Sequence, residues 1–291
     1  MTPTLVRHHS RAVAATTGAA AAAADPATRA RDWAEIQERM LAPLYEAVYE
    51  RLEVGAGTRV LSLGCGSGLA LVIAAARGAR VTGVDTDPDR LALARIRMPA
   101  GPGGAGSPAD AHRLLDGDPS AAAPVDGTPY DLITAFTPIG CSDGDDERLV
   151  SALRAAVPLA ARGSTVVLTG WGPPERCATV PVLRMGGRGS GGAQQSRAGG
   201  WRPSRRDDLE EVAFRAGLRP DGSGRVACPF DYPGLESAVR GLLSTRLFDT
   251  AVRATDPRRV AQEVVRALRP HRRPDGTVRM PNVFRYLLCT V

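Results

Sequence analysis

Arg59-Val60-Leu61-Ser62-Leu63-Gly64-Cys65-Gly66-Ser67-Gly68-Leu69-Ala70 decides the fold. An apolar run breaks into a glycine-rich turn and resumes as an Ala-rich segment of helical character. A second apolar run, Ala79-Arg80-Val81-Thr82-Gly83-Val84-Asp85, follows and ends in an acid. The pattern is strand, turn, helix, strand, which is one βαβ unit. Glycine at 64, 66 and 68 lets backbone approach a ligand without a Cβ in the way. The helix after the turn offers its free N–H groups to the same ligand. Asp85 comes roughly 20 residues after Gly64, where a carboxylate can accept from ribose hydroxyls.

The dinucleotide fingerprint spaces its glycines as G-x-G-x-x-G. Here the third glycine falls one residue early, and Leu69 takes the fingerprint position. That spacing suits a cofactor without a pyrophosphate. The segment resembles motif I of the class I S-adenosylmethionine-dependent methyltransferases, and the resemblance runs on through residues 55–172. Val84-Asp85-Thr86-Asp87 resembles the acidic end of the second strand, and Asp116-Gly117-Asp118-Pro119 the turn beside the adenine amine. Tyr130–Phe136 resembles the fourth strand and Arg162–Thr169 the fifth. The resemblance implies S-adenosyl-L-methionine as cofactor, held by Ser62, Gly64, Cys65, Gly66, Gly68, Asp85, Thr86, Asp118 and Phe136. One position departs from the family. The residue before Leu63 is normally an acid, which in the family helps hold the methionine amino end, and here it is the uncharged Ser62.

The resemblance implies an α/β fold: a Rossmann-like, seven-stranded, mostly parallel sheet with helices on both faces and an antiparallel C-terminal strand. Residues 1–30 are Ala-rich and are expected to form a disordered tail. Residues 31–291 are expected to form one methyltransferase domain. Within it, residues 31–54 carry helical spacing at Trp33, Ile36, Met40, Leu44 and Val48, and read as lid helices broken at Pro43. Residues 55–175 form the cofactor-binding core. Gly224–Phe230 reads as the sixth strand and Val278–Val291 as the last. Residues 233–269, read as two helices between those strands, are a helical insertion over the substrate.

The chain has 291 residues, 37 basic and 31 acidic side chains, and a net charge of +6. Every basic side chain other than histidine is arginine. The arginines are scattered among acids, which reads as solvated faces; a nucleic-acid footprint would be a concentrated stripe, so no such partner is expected. The glycine- and arginine-rich stretch 186–206 is the one dense cluster, and it reads as a composition-biased loop. Five cysteines without a C-x-x-C pair and four histidines without ligand spacing suggest neither disulfide framework nor metal. They fit a cytoplasmic setting, and no run approaches a membrane span. The sequence sets no oligomeric state.

Methyl transfer from a sulfonium chiefly requires that the nucleophile be positioned. A base enters only where the acceptor must lose a proton. Glu175 and Tyr232 are the candidates for that task, and Trp33 and Trp171 for the walls of a substrate pocket. The alternatives for these residues are an ion pair with arginine for Glu175 and core packing for the aromatics. The residues after the fifth strand, with Pro229–Pro233 and Asn282–Tyr286, resemble an actinobacterial branch of metal-independent small-molecule methyltransferases. The expected activity is methylation of an O or N atom of a small molecule, as in specialised metabolism. The alternative reading is a non-catalytic cofactor-binding or regulatory protein, motivated by Ser62.

Overall fold

A computed structural model describes residues 25–99, 112–124, 126–186 and 202–291. Residues 1–24 and most of 186–206 therefore lie outside the described residues. The sheet is built from β1 (Arg59–Leu63), β2 (Arg80–Asp85), β3 (His112–Asp116), β4 (Tyr130–Ile139), β5 (Ala160–Trp171), β6 (Arg219–Ala227) and β9 (Val283–Thr290). Its order is β3-β2-β1-β4-β5-β9-β6. The first five strands are parallel, and β9 runs antiparallel to both β5 and β6. This is a Rossmann-like α/β fold with an antiparallel end, as expected. Val60, Val81 and Leu132 face one side, and Leu61, Val84 and Ile133 the other, so the central strands are buried on both faces.

Helices α1 (Pro26–Asp32) and α2 (Ala42–Arg51) precede the sheet. The core helices are α3 (Leu69–Ala76), α4 (Pro88–Arg97) and α5 (Asp145–Ala156). Then come α6 (Val180–Gly186), α7 (Asp208–Arg215), α8 (Leu235–Leu243), α9 (Asp249–Ala254) and α10 (Pro257–Leu268). Leu44, Tyr45, Val48 and Tyr49 of α2 pack in one cluster with Val60, Phe136 and Val167 of the sheet and with α8 and α10. The N-terminal helices and residues 235–268 thus form one cap on one face of the sheet.

Four expectations are corrected. Residues 25–30 are ordered: Asp25 caps α1 by accepting from the Thr28 N–H at 2.9 Å. The stretch between α1 and α2 does not break at Pro43. It continues through a π turn at Trp33–Gln37 and a 3-10 turn at Glu38–Leu41, and Pro43 sits in the first turn of α2, where no N–H is needed. The sixth strand, expected over Gly224–Phe230, ends at Ala227, and Phe230-Asp231-Tyr232 does not belong to it. That segment forms a separate strand, β7 (Phe230–Tyr232), paired antiparallel with β8 (Val278–Met280). The expected last strand is correspondingly split, because Pro281 has no N–H for a ladder. The insertion holds a third helix, α9, and α6 also went unread.

The loop after β4 is fixed by one carboxylate. Asp145 Oδ2 accepts the N–H groups of Gly140, Cys141 and Ser142 at 2.8, 3.1 and 3.0 Å. Its other oxygen meets Arg202 at 2.6 Å, and Arg202 also grips Asp208 at 2.9 Å. Asp145→Ala leaves three amides and a mostly buried guanidinium short of partners, which costs about 3 kcal/mol or more. A thermal melt should fall by roughly 6–12 °C. An unchanged melt would mean that this loop does not depend on Asp145.

Candidate functional site

The C-terminal ends of parallel strands are where open α/β sheets bind ligands, and the turn after β1 lies there. Gly64 and Gly66 have φ of +64° and +58°, a left-handed backbone that favours glycine. The Gly66 N–H donates to Asp85 Oδ2 at 2.7 Å, and the Asp87 N–H donates to Asp85 Oδ1 at 2.8 Å. Asp85 therefore ties the β1 turn to the end of β2. Asp87 caps α4 by accepting from the Asp89 and Arg90 N–H groups.

The cap lies directly on this turn. A Cβ at Gly66 would stand 3.1 Å from Glu38 Oε1 and 3.2 Å from Trp33 Nε1. Glu38 Oε2 accepts from the Ser67 hydroxyl and from Arg97 Nη1, the latter at 2.6 Å. Arg97 also reaches the Ala34 carbonyl at 2.7 Å and the Ser67 carbonyl at 3.0 Å. Arg90 lies with its guanidinium 4.1 Å from the Trp33 ring centroid and donates to the Ser244 carbonyl at 2.8 Å. Burial, with Arg246 alongside, pushes Arg90 down to about 10, so it stays charged at neutral pH. Arg246 spans from the cap to Asp87 at 2.5 Å. Arginines thus bind both halves of the cap to α4 and the rim of the turn.

Beneath the cap is a cavity of about 80 Å³. It is walled by Trp33, Gln37 and Leu41 of the N-terminal turns, Thr137 and Pro138 at the end of β4, Cys141 just beyond it, and Trp171 at the end of β5. Phe230, Phe284, Thr179, Leu183 and three cap residues complete it, and none of the lining side chains carries a formal charge. Trp171 packs on Phe284 with ring centroids 4.7 Å apart. Burial pushes the Cys141 thiol far up, so it stays protonated. The cavity and the glycine turn share two walls. Thr137 Oγ1 lies 3.1 Å from where a Gly64 Cβ would stand, and Trp33 Nε1 lies 3.2 Å from that of Gly66.

The other sequence-nominated residues are distributed around this centre. Ser62 is 1% exposed, paired in register with Gly83 and Thr134 below the turn. Cys65 is buried, its thiol pushed up by burial. Gly68 caps α3 at φ +84°. Thr86 is exposed beyond β2. Asp118 is exposed and accepts from the Ser120 N–H at 2.9 Å, a bond that lowers its pKa. Phe136 is buried beneath Tyr45 and Tyr49, at 4.8 and 5.4 Å between centroids. Trp33 and Trp171 meet at the cavity. Glu175 does not. It is exposed in a 3-10 turn on a different groove, near Cys177 and Asn282. Tyr232 is buried with its hydroxyl donating to Gln37 Oε1 at 2.8 Å, and burial holds it protonated. Gln37 and Glu38 went unread. The signal was there: two polar residues on the stripe that joins Trp33 to Leu41 and Tyr45.

Residues 60–158 match the family model of a methyltransferase domain. Over 109 residues the chain is 35% identical to trans-aconitate 2-methyltransferase of Paracidovorax citrulli (strain AAC00-1), and that match spans 37% of each chain. The chain thus covers little more than a third of that relative's length. Its fold is similar to that of YjhP from E. coli, with a TM-score of 0.51 at 16% identity, covering 90% of this chain and 98% of that one. It is also similar to a protein of Bacillus halodurans C-125 assigned as a methyltransferase, with a TM-score of 0.50 at 14% identity, covering 84% and 97%. Residues 60–158 thus carry the likeness to a methyltransferase domain, and the likeness to solved structures is one of fold.

The latch on the cap makes its own prediction. Arg97→Ala leaves the almost fully buried Glu38 carboxylate without its cation. Amide exchange across residues 33–41 should then quicken at least tenfold, while the amides of β1, β4 and β5 keep their protection. Uniform loss of protection would mean that the cap does not open as a unit.

Proposed function

We propose that this chain transfers a methyl group from S-adenosylmethionine to an oxygen or nitrogen atom of a small, mostly apolar and uncharged molecule. The observation that carries the reading is the uncharged, largely apolar cavity sharing two walls with the glycine turn. The turn fits the cofactor. Gly64 is exposed, and each Asp85 oxygen accepts a single backbone N–H in the described structure, leaving lone pairs for ribose hydroxyls. Gly64, Gly66 and Asp85 would therefore hold the nucleoside part, with Thr86 and Asp118 at its rim. When bound, the cofactor supplies an already activated methyl group on a sulfonium.

The chain's own task is then orientation and the exclusion of water. Gln37, Thr137, Thr179 and Thr245 offer neutral hydrogen-bonding groups around the cavity, and the aromatic walls take up the apolar body of the acceptor. No lining group serves as a base at neutral pH, since Cys141 is held protonated. The acceptor must bring its own lone pair, as an uncharged amine does, or as a phenol does on losing its proton to water in the transfer. With a phenol the rate should follow the acceptor's own ionisation. A polycarboxylate such as trans-aconitate would enter an apolar cavity without a cation to meet it, which is costly. The cavity is also far smaller than an ordinary ligand site of about 300 Å³ or more, so the cap withdraws to admit the acceptor.

Radiolabelled methyl transfer to a panel of aromatic amines, phenols and trans-aconitate tests this. Turnover on an uncharged aromatic acceptor and none on trans-aconitate is expected; the reverse ranking would refute the assignment of the acceptor class. Cofactor binding without turnover on any acceptor would favour the non-catalytic alternative. Asp85→Ala should weaken S-adenosylhomocysteine and 5′-methylthioadenosine alike by about 10- to 100-fold in a calorimetric titration, because both carry the ribose.

A further inference from the structure

Two polar groups, the Trp33 indole N–H and Glu38 Oε1, converge on one point above the glycine turn. The Trp33 indole Nε1–H is buried and has no hydrogen-bond partner. It lies 3.2 Å from the position a Gly66 Cβ would take, and Glu38 Oε1 lies 3.1 Å from that position. A buried donor left unpaired costs free energy, so its persistence calls for an explanation. The Glu38 side chain is 3% exposed, in a place where a carboxylate is held only at a cost. Arg97 and Ser67 engage Oε2, and the other oxygen is directed at the turn. A donor and an anionic acceptor a few ångströms apart are complementary to a group that carries an ammonium and a carboxylate together.

We infer that Trp33 and Glu38 form a clamp for the zwitterionic α-amino-acid end of the cofactor, supplied by the cap rather than by the β1 turn. The inference rests on the methyltransferase reading above and deepens it. Among the described residues at the turn, Ser62 is uncharged and buried, and Asp85 is assigned to the ribose. Glu38 is the carboxylate at hand for the ammonium. The Trp33 N–H, beside the first turn of α3, is the donor at hand for the carboxylate. Cap closure and cofactor capture then become one event, because both clamp residues lie in the π and 3-10 turns that Arg97 and Arg90 fasten to α4. Glu38 and Trp33 are cofactor-positioning residues in this account, with no part in proton transfer.

The test compares two probes on the full chain. S-adenosylhomocysteine carries the amino-acid end, and 5′-methylthioadenosine has the same nucleoside and thioether without it. By calorimetric titration, Glu38→Gln should weaken S-adenosylhomocysteine by about 10- to 100-fold, as the loss of one charge-assisted contact implies. Trp33→Phe, which keeps a ring on Arg90, should weaken it by about 2- to 10-fold. Both variants should bind 5′-methylthioadenosine within about twofold of wild type. Equal weakening of both probes would reveal a merely structural role and overturn the inference, as would no weakening of either. Trp33→Phe tests the clamp independently if Glu38→Gln, deprived of its charge opposite Arg97, does not fold. Wild type that binds 5′-methylthioadenosine as tightly as S-adenosylhomocysteine would overturn the clamp alone. Wild type that binds neither would overturn the reading beneath it and the clamp together.

Discussion

The hydrogen bond from the Gly66 N–H to the Asp85 carboxylate joins the end of β1 to the end of β2, and the site is arranged around the turn it fixes. A left-handed backbone at Gly64 and Gly66 gives the turn its shape. The same absence of side chains leaves its upper surface bare. Backbone so exposed must be met by something, and this chain meets it with residues from outside the sheet. Trp33 and Glu38 come from before β1, and Ser244 and Arg246 from the insertion between β7 and β8. Glycine turn, cap and cavity are consequently one packed unit.

Arginine performs nearly all of the fastening. Arg90, Arg97, Arg240 and Arg246 each bridge α4 or the cap to a carboxylate or carbonyl across the interface. In a chain without lysine, planar forks with several donors are the natural means. One guanidinium can hold Glu38, the Ala34 carbonyl and the Ser67 hydroxyl at once, as Arg97 does. The net positive charge reflects internal tethers as well as surface, which is why it says little about an external anionic partner. The cavity those tethers enclose stays free of charge, and that contrast shapes the proposed acceptor class.

What the sequence made legible follows the range of the interactions involved. The βαβ unit, the strands through β5 and the antiparallel end rest on local apolar runs and glycine punctuation, and all were readable. The β7–β8 ribbon was not, because three-residue strands beside proline give no period to read. The unwound turns at 33–41 escaped for a different reason. Their spacing is helical, and only contact with α4 and the glycine turn favours π and 3-10 geometry there. Trp171 reaches the cavity because it ends β5 at the edge of the sheet where the glycine turn also lies. Glu175 was misjudged because the chain turns away at Gly172-Pro173, carrying the carboxylate to another groove. Glu38 stood out only as a polar residue on an apolar stripe, and its place in the site depends on residues 38 and 66 meeting.

The central claim is that the turn at Gly64–Gly68 holds S-adenosylmethionine and not a dinucleotide. Calorimetric titration of the wild-type chain with S-adenosylmethionine and, in parallel, with NAD tests it most directly. The account predicts micromolar binding of S-adenosylmethionine at one site and no measurable binding of NAD. Binding of NAD with no heat from S-adenosylmethionine would contradict it.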